Sequence, residues 1–416
     1  MYDQPIGETA INLTRFCAMV NDKLEALVAD HLDRVFPAMT LMVIQAGEVK
    51  IHRAWGFVDP ETRRIPVTLE TLFDLASVTK LFTVSTFLSL VSAGKPHLDD
   101  PLVSVIPEFG VINPRPIDGG QDPHTRVKFP IPEDKKGKTV DPTQVTFRHL
   151  LTHTSGLAPW RDVYNSAGLP PQPPDRSMLI PRETRWANAL HALYRYPFVG
   201  FPGEKVRYSD LGLMLLGEAV SRLHTNSSGK IDEAIRELVT QPLGLASVIF
   251  NPLRNGIPRE QVAPTEYDLT WRKRRCWGEV HDENACGVGG IAGHAGLFAS
   301  VEDVAQFGQA WLSLDPRLQI EKSLMQEAIT EQIETDGERR GLGWILKARE
   351  NSSMGGKFAL SSYGHTGFTG TSLFIEPERE LVVATLTNRV YPGRQVEGIT
   401  EFRQKLHDII AEAADS

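Results

Sequence analysis

Cysteine is scarce: the 416-residue chain carries three, Cys17, Cys276 and Cys286. That number is too small and too odd for a disulfide framework. Basic charge is not in excess either. Lys and Arg total 44 against 52 Asp and Glu, a net charge of −8, which removes any general pull toward nucleic acid or an anionic membrane. The one basic run, Arg272-Lys273-Arg274-Arg275, is short, lies between Trp271 and Trp277, and reads as a solvated loop. No stretch is apolar over the length a membrane crossing needs, and no basic segment leads into an apolar run near the N-terminus. From Ile11 to Val28 the pattern is that of an amphipathic helix, its apolar positions interrupted by Arg15, Asp22, Lys23 and Glu25. A cytoplasmic location without a signal peptide is expected. Two absent motifs narrow the chemistry further. There is no G-x-S-x-G elbow, which argues against an α/β-hydrolase. The glycines around Gly289 do not lead from a strand into a helix, so no dinucleotide fingerprint forms.

What is present has ordinary globular composition, 41% hydrophobic and 23% charged. Its length predicts two domains or one large composite. Met39 to Ile44 reads as a buried strand, with Val49 to Phe57 as its hairpin partner. Near the other end, Tyr363 to Thr369, Ser372 to Ile375 and Leu381 to Thr387 read as strands, followed by an amphipathic helix from about Thr400 to Ala413. Helical patterns lie between them: 146–151, 185–194, 211–223 capped by Ser209, 231–239 and 301–312. Pro- and Gly-rich excursions over 111–145 and 168–182 read as surface. The predicted class is α+β, an antiparallel sheet from both termini flanked by helices. Residues 1–80 and 290–416 would form that discontinuous sheet domain, and 81–289 an inserted helical domain with the active site at the junction.

One stretch organises the rest. Leu75 to Gly94 reads LASVTKLFTVSTFLSLVSAG, with Lys80 its only charged residue. A helix apolar on nearly all sides is a buried one, and an ammonium on it is costly unless paired or neutralised. Ser77 and Lys80, three residues apart, share a face of the first turn. Chemically this is a serine nucleophile whose proton is taken by a desolvated amine; otherwise it is a capping serine beside a lysine that reaches the surface.

Two further motifs follow in order: Tyr208-Ser209-Asp210 and His365-Thr366-Gly367. With Ser77-Val78-Thr79-Lys80 they resemble the signature of β-lactamases and penicillin-binding proteins. The tyrosine in the middle motif is similar to that of class C β-lactamases and their relatives, among them family VIII carboxylesterases, D-stereospecific peptidases and acyltransferases. Residues 149–157 (HLLTHTSGL) and 293–298 (GHAGLF) also resemble stretches of this superfamily, and the likeness covers roughly residues 35–390. It implies a β-lactamase/transpeptidase-like fold and a serine hydrolase working through an acyl-enzyme without a cofactor. Carried over by residue, Ser77 would be the nucleophile, and Lys80 and Tyr208 would share the general-base role. The amides of Ser77 and Phe368 would form the oxyanion hole. Asp210 would reach toward Lys80 or substrate, its carboxylate favouring the charged ammonium where many relatives have an amide. His365, Thr366 and Gly367 would contact substrate.

His365 departs from the lysine of β-lactamases and penicillin-binding proteins. A mostly neutral histidine anchors a carboxylate weakly, which moves the expected substrate toward neutral esters or amides; the lesser alternative is that it merely orders the strand edge. Trp160 could wall the acyl pocket or pack in the core. His281, Asp282, Glu283 and His294 invite a metal reading, yet no H-x-x-x-H or C-x-x-C spacing supports it, and lining or bracing the cleft is expected instead. His153 reads as a capping residue. The expected activity is a carboxylesterase on small acyl esters, with no metal and a small-molecule ester or amide as the partner. The alternatives are a D-amino-acid peptidase or β-lactamase-like amide hydrolase, and a silent binding protein of the same fold.

Overall fold

The computed structural model describes residues 20–123 and 125–415. Its centre is an eight-stranded antiparallel sheet in the order Ile333–Thr335, Glu338–Arg340, Ile345–Leu346, Tyr363–Thr366, Ser372–Glu376, Leu381–Thr387, Ala38–Gln45, Glu48–Gly56. The N-terminal hairpin therefore joins the C-terminal meander through one pairing, with Met42 opposite Ala384. Strand Ala38–Gln45 is apolar but for Thr40 and the terminal Gln45, since both its faces are covered, and period-two alternation splits it between two cores. Met39, Leu41 and Val43 pack with Phe374, Leu381 and Val383 against Phe402, Leu406 and Ile410 of helix Ile399–Ala414 and against Val20, Leu24 and Val28 of helix 20–31. Met42 and Ile44 face the opposite way, into the large core that holds helices Thr79–Ser92 and Val301–Leu312.

Helix Thr79–Ser92 is buried along nearly its whole length. Two of its hydroxyls are satisfied within the helix: Ser85 donates to the Leu81 carbonyl (2.7 Å) and Thr86 to the Phe82 carbonyl (2.8 Å). Phe82 stacks on Phe307 at 4.2 Å, which ties this helix to the one lying on the sheet. A second, three-stranded sheet (Phe73–Asp74, Leu297–Ala299, Ile249–Phe250) sits at the start of the same helix. Among the described residues no helix is long and apolar enough to cross a membrane.

Several expectations are corrected. The three strands between 333 and 346 and the smaller sheet are short and polar or isolated, so periodicity did not mark them. The strand read over Tyr363 to Thr369 ends at Thr366, and Phe368 lies in the turn beyond. The amphipathic N-terminal helix lies outside the described residues up to position 19, and its described part runs over 20–31. The 111–145 excursion is mostly exposed, but Arg115 is wholly buried between the rings of Phe109 (4.1 Å) and Phe198 (4.5 Å) and pins it to the core. The run Arg272–Arg275 is not a solvated loop. Buried Arg272 pairs with Asp268 at 2.9 Å and donates to the carbonyls of Val280 (2.7 Å) and His281 (2.5 Å).

Candidate active site

The turn before Ser77 is strained. Ala76 has φ +45°, a left-handed conformation unfavourable for a residue with a Cβ. Asp74 braces it: Oδ1 accepts the Ala76 amide at 2.9 Å and Oδ2 the His281 amide at 2.6 Å. Burial raises the Asp74 pKa against these bonds. Asp74→Ala should lower the unfolding free energy by about 2–6 kcal/mol, since two buried amides each lose a partner at roughly 1–3 kcal/mol. Urea titration checks this, and a loss below about 1 kcal/mol would mean the amides find other acceptors.

From this turn the helix carries Lys80, whose residue is 1% exposed. Its Nζ donates to Ser77 Oγ (2.9 Å) and to the His294 carbonyl (3.0 Å), and lies 2.8 Å from Asp210 Oδ1. Asp210 opens helix Asp210–Thr225, where Ser209 is the N-cap, its Oγ accepting the Gly212 amide at 3.2 Å. The Ser209 amide donates to Nδ1 of His153 at 3.0 Å. His153, at φ +57° just past helix Phe147–Leu151, is thus more than a cap: its ring packs 4.6 Å from that of Tyr208 and fixes it. The Tyr208 ring lies 4.9 Å from Lys80 Nζ, and its phenol hydrogen-bonds with the side chains of Lys80 and Ser77.

The third wall is the segment 293–297. Gly293 is required by close approach, since a Cβ there would sit 2.3 Å from the Leu213 carbonyl oxygen. Gly367 is required likewise, as its Cβ would lie 2.6 Å from the Leu75 carbonyl, so the turn after His365 comes hard against the Ser77 turn. Ser77, Ala76, Trp160, His281, Asp282, Glu283, His294, Phe368 and Arg394 border a cleft of about 150 Å³. A larger cavity of about 810 Å³ lies across the 291–297 segment, lined by Ile235, Leu245, Phe250 and Ile291, and includes none of Ser77, Lys80 and Tyr208.

Burial opposes the charge on Lys80, but Asp210 and Tyr208 outweigh it and hold the ammonium above its ordinary pKa. Burial likewise pushes the Tyr208 phenol up, against the pull of Lys80. Both groups are therefore protonated at neutral pH. His365, 1% exposed, is pushed down to about 3 by burial and by the charges of Lys80 and Arg340. Its Nδ1 is 2.8 Å from the Thr366 carbonyl, so it orders the strand end and brings no cation.

The structure thus gathers Ser77, Lys80, Tyr208 and Asp210, and sets Trp160 and Phe368 around the same cleft. His365, Thr366 and Gly367 stand at the strand end outside its lining. His281 pairs with Glu266 (3.1 Å) and His294 with Asp282 (2.8 Å), and no group able to hold a metal ion occurs among the described residues. Cys276 and Cys286 are buried free thiols. Sequence reasoning missed Asp74 and Arg340. Arg340 is buried beside the Tyr208 ring, 5.5 Å from its centroid, with Nε and Nη1 lacking partners among the described residues. Neither lies in a motif.

Fold and site together define a serine hydrolase, and the Beta-lactamase family profile matches residues 21–407. The chain belongs to the β-lactamase family. It is 28% identical over 395 residues to an Escherichia coli (strain K12) protein provisionally named a D-alanyl-D-alanine carboxypeptidase, covering 88% of this chain and 82% of that one. Among solved structures it is similar to EstCE1, described as a hydrolase with promiscuous acyltransferase activity, at TM-score 0.68 and 18% identity, covering 95% and 99% of the two chains. A class C β-lactamase matches at TM-score 0.65 and 16% identity over 96% and 99%. These structural likenesses concern the fold.

Proposed function

We propose that the protein is a carboxylesterase that hydrolyses small acyl esters through an acyl-enzyme on Ser77. The supporting observation is the contact of Ser77 Oγ with Lys80 Nζ at 2.9 Å, with the Tyr208 phenol joined to both side chains. Ser77 attacks the ester carbonyl as its proton passes to the Lys80–Tyr208 pair, which returns it to the departing alcohol. The amides of Ser77 and Phe368 receive the oxyanion, a contribution of about 3 kcal/mol per donor. A neutral His365 and a cleft of about 150 Å³ favour small uncharged acyl groups. Intact-mass detection of one fluorophosphonate adduct on Ser77, with p-nitrophenyl ester turnover, tests the reading; absence of both overturns it.

Because Lys80 and Tyr208 both rest protonated, the pair must shed a proton before it accepts one from Ser77. Acylation should therefore rise with pH on an alkaline limb. Asp210 raises the Lys80 pKa, so in Asp210→Asn the ammonium loses its proton at lower pH. The limb should move acidwards by roughly 1–3 units, the usual effect of one adjacent opposite charge. A kcat/KM profile with an unmoved limb would exclude Lys80 as the group it reports.

A D-amino-acid peptidase is the second reading, favoured by Arg340. Its guanidinium stands beside His365, with Nη2 donating to Glu338 at 3.0 Å and Nε and Nη1 without partners among the described residues, and the name of the Escherichia coli relative points the same way. Hydrolysis of D-alanyl-D-alanine peptides well above ester turnover would decide for it.

A further inference from the structure

Phe368 stands in the turn beyond strand Tyr363–Thr366, so no regular element holds it. The Ser77 amide comes from a turn braced by Asp74, whereas the Phe368 amide depends on how residues 367–371 are fixed. The Gly367 amide donates to the Thr371 carbonyl (2.7 Å), and the Gly370 amide to the Gly367 carbonyl (3.0 Å). Across the planar peptide, the Phe368 N–H therefore points away from the Gly370 side. Two hydroxyls fasten the turn to the residues just ahead of Ser77: Thr369 donates to the Asp74 carbonyl (2.7 Å) and Thr371 to the Leu75 carbonyl (3.0 Å). Phe368 itself is held by Arg389, and at two points. Nε donates to the Phe368 carbonyl at 2.9 Å, and Cζ lies 4.8 Å from the centre of the Phe368 ring. The guanidinium also donates to the carbonyls of Val396 (3.0 Å) and Arg394 (3.4 Å), and no carboxylate pairs with it among the described residues. Arg403 repeats the pattern at the end of the turn: it is 5% exposed, donates to the Thr371 carbonyl at 2.8 Å, and has no carboxylate partner among the described residues. Burying a cation without a carboxylate is costly, and here two such cations grip one turn.

We infer that Arg389 is a positioning residue of the oxyanion hole, fixing the direction of the Phe368 amide by holding that residue's carbonyl and ring together. The inference rests on the reading of the Ser77 and Phe368 amides as the oxyanion donors. The carbonyl bond restrains rotation of the backbone after Phe368, and the ring contact restrains its side chain, so the residue cannot pivot within the turn. Aim matters because a preorganised donor acts on the charge that develops in the transition state, while the ground-state carbonyl gains little from it. Arg389 should therefore govern the rate of acylation and leave substrate binding nearly untouched. Arg403 steadies the turn at Thr371 and makes no contact of this kind with Phe368.

Stopped-flow acylation of the full chain by p-nitrophenyl acetate yields the acylation rate constant and, from its saturation, the substrate Kd. Arg389→Met keeps an unbranched stem and removes the cation and its donors. Its rate constant should fall about 10–10²-fold, short of the loss of a whole oxyanion donor, with Kd unchanged within about threefold. The thionoester analogue, with sulfur in place of the carbonyl oxygen, separates aim from mere packing. Sulfur gains little from the two amides, so the oxygen-to-sulfur rate ratio measures the hole, and in Arg389→Met it should fall by the same factor. Arg389→Lys, which keeps a cation and one donor, should lie between the wild type and Arg389→Met in both rate and ratio. A rate that falls while the ratio holds marks a structural role and overturns the inference, as does an unchanged rate. Should Arg389→Met fail to fold, Arg389→Lys decides by the same two readings. A wild-type ratio no greater than that of alkaline hydrolysis in water removes the oxyanion reading itself.

Discussion

Ser77→Ala is expected to lower ester turnover by roughly 10⁴-fold or more, to the residual rate that binding and oxyanion donors support without a nucleophile. The same variant should take up no fluorophosphonate. The protein should otherwise stay intact. Lys80 keeps Asp210 at 2.8 Å and the His294 carbonyl at 3.0 Å after the hydroxyl is gone, so the buried ammonium is not orphaned. A change in unfolding free energy within about 1 kcal/mol is expected for loss of one half-exposed hydroxyl. Turnover and adduct formation both surviving in Ser77→Ala would move the chemistry to another residue.

The second large effect is that of Tyr208→Phe. The ring is held by His153 at 4.6 Å, Lys80 at 4.9 Å and Arg340 at 5.5 Å, and phenylalanine preserves all three contacts. The substitution therefore removes the hydroxyl and little else. A loss of about 10²–10⁴-fold in kcat/KM is expected for one proton-transfer group. On the proposal that the phenol and the amine act as a pair, adding Lys80→Met to Tyr208→Phe should cost far less than Lys80→Met alone. Strict additivity in that double-mutant cycle would show that the two side chains act separately.

Legibility in the chain followed the range of the interaction. The Ser77 to Lys80 spacing was readable because a helix places residues three apart on one face, and the all-apolar run announced burial. Strands Ala38–Gln45 and Leu381–Thr387 were readable from their mostly apolar residues, and their antiparallel pairing agrees with the predicted fold class. Tyr208 and His365 could be named only through the resemblance, since nothing local in either motif marks a shared site. The edge strands from 333 to 346 escaped notice because two to three residues, several of them charged, carry no measurable period. The solvated reading of Arg272 failed for a related reason: composition reports charge, whereas Asp268 and two carbonyls decided its burial.

By itself, then, the order of residues determined the buried helix, the spacing of Ser77 and Lys80, the capping of helix Asp210–Thr225 by Ser209, and the two-ended sheet. All of these depend on neighbours within a few positions or on runs of apolar side chains. Only the tertiary structure decided the charge state of the site. It brought Asp210 against Lys80 from 130 residues away, buried His365 so that it stays neutral, and set Asp282 on one nitrogen of His294. Desolvation and the field of distant charges fix a proton's position, and neither exists until the chain has folded.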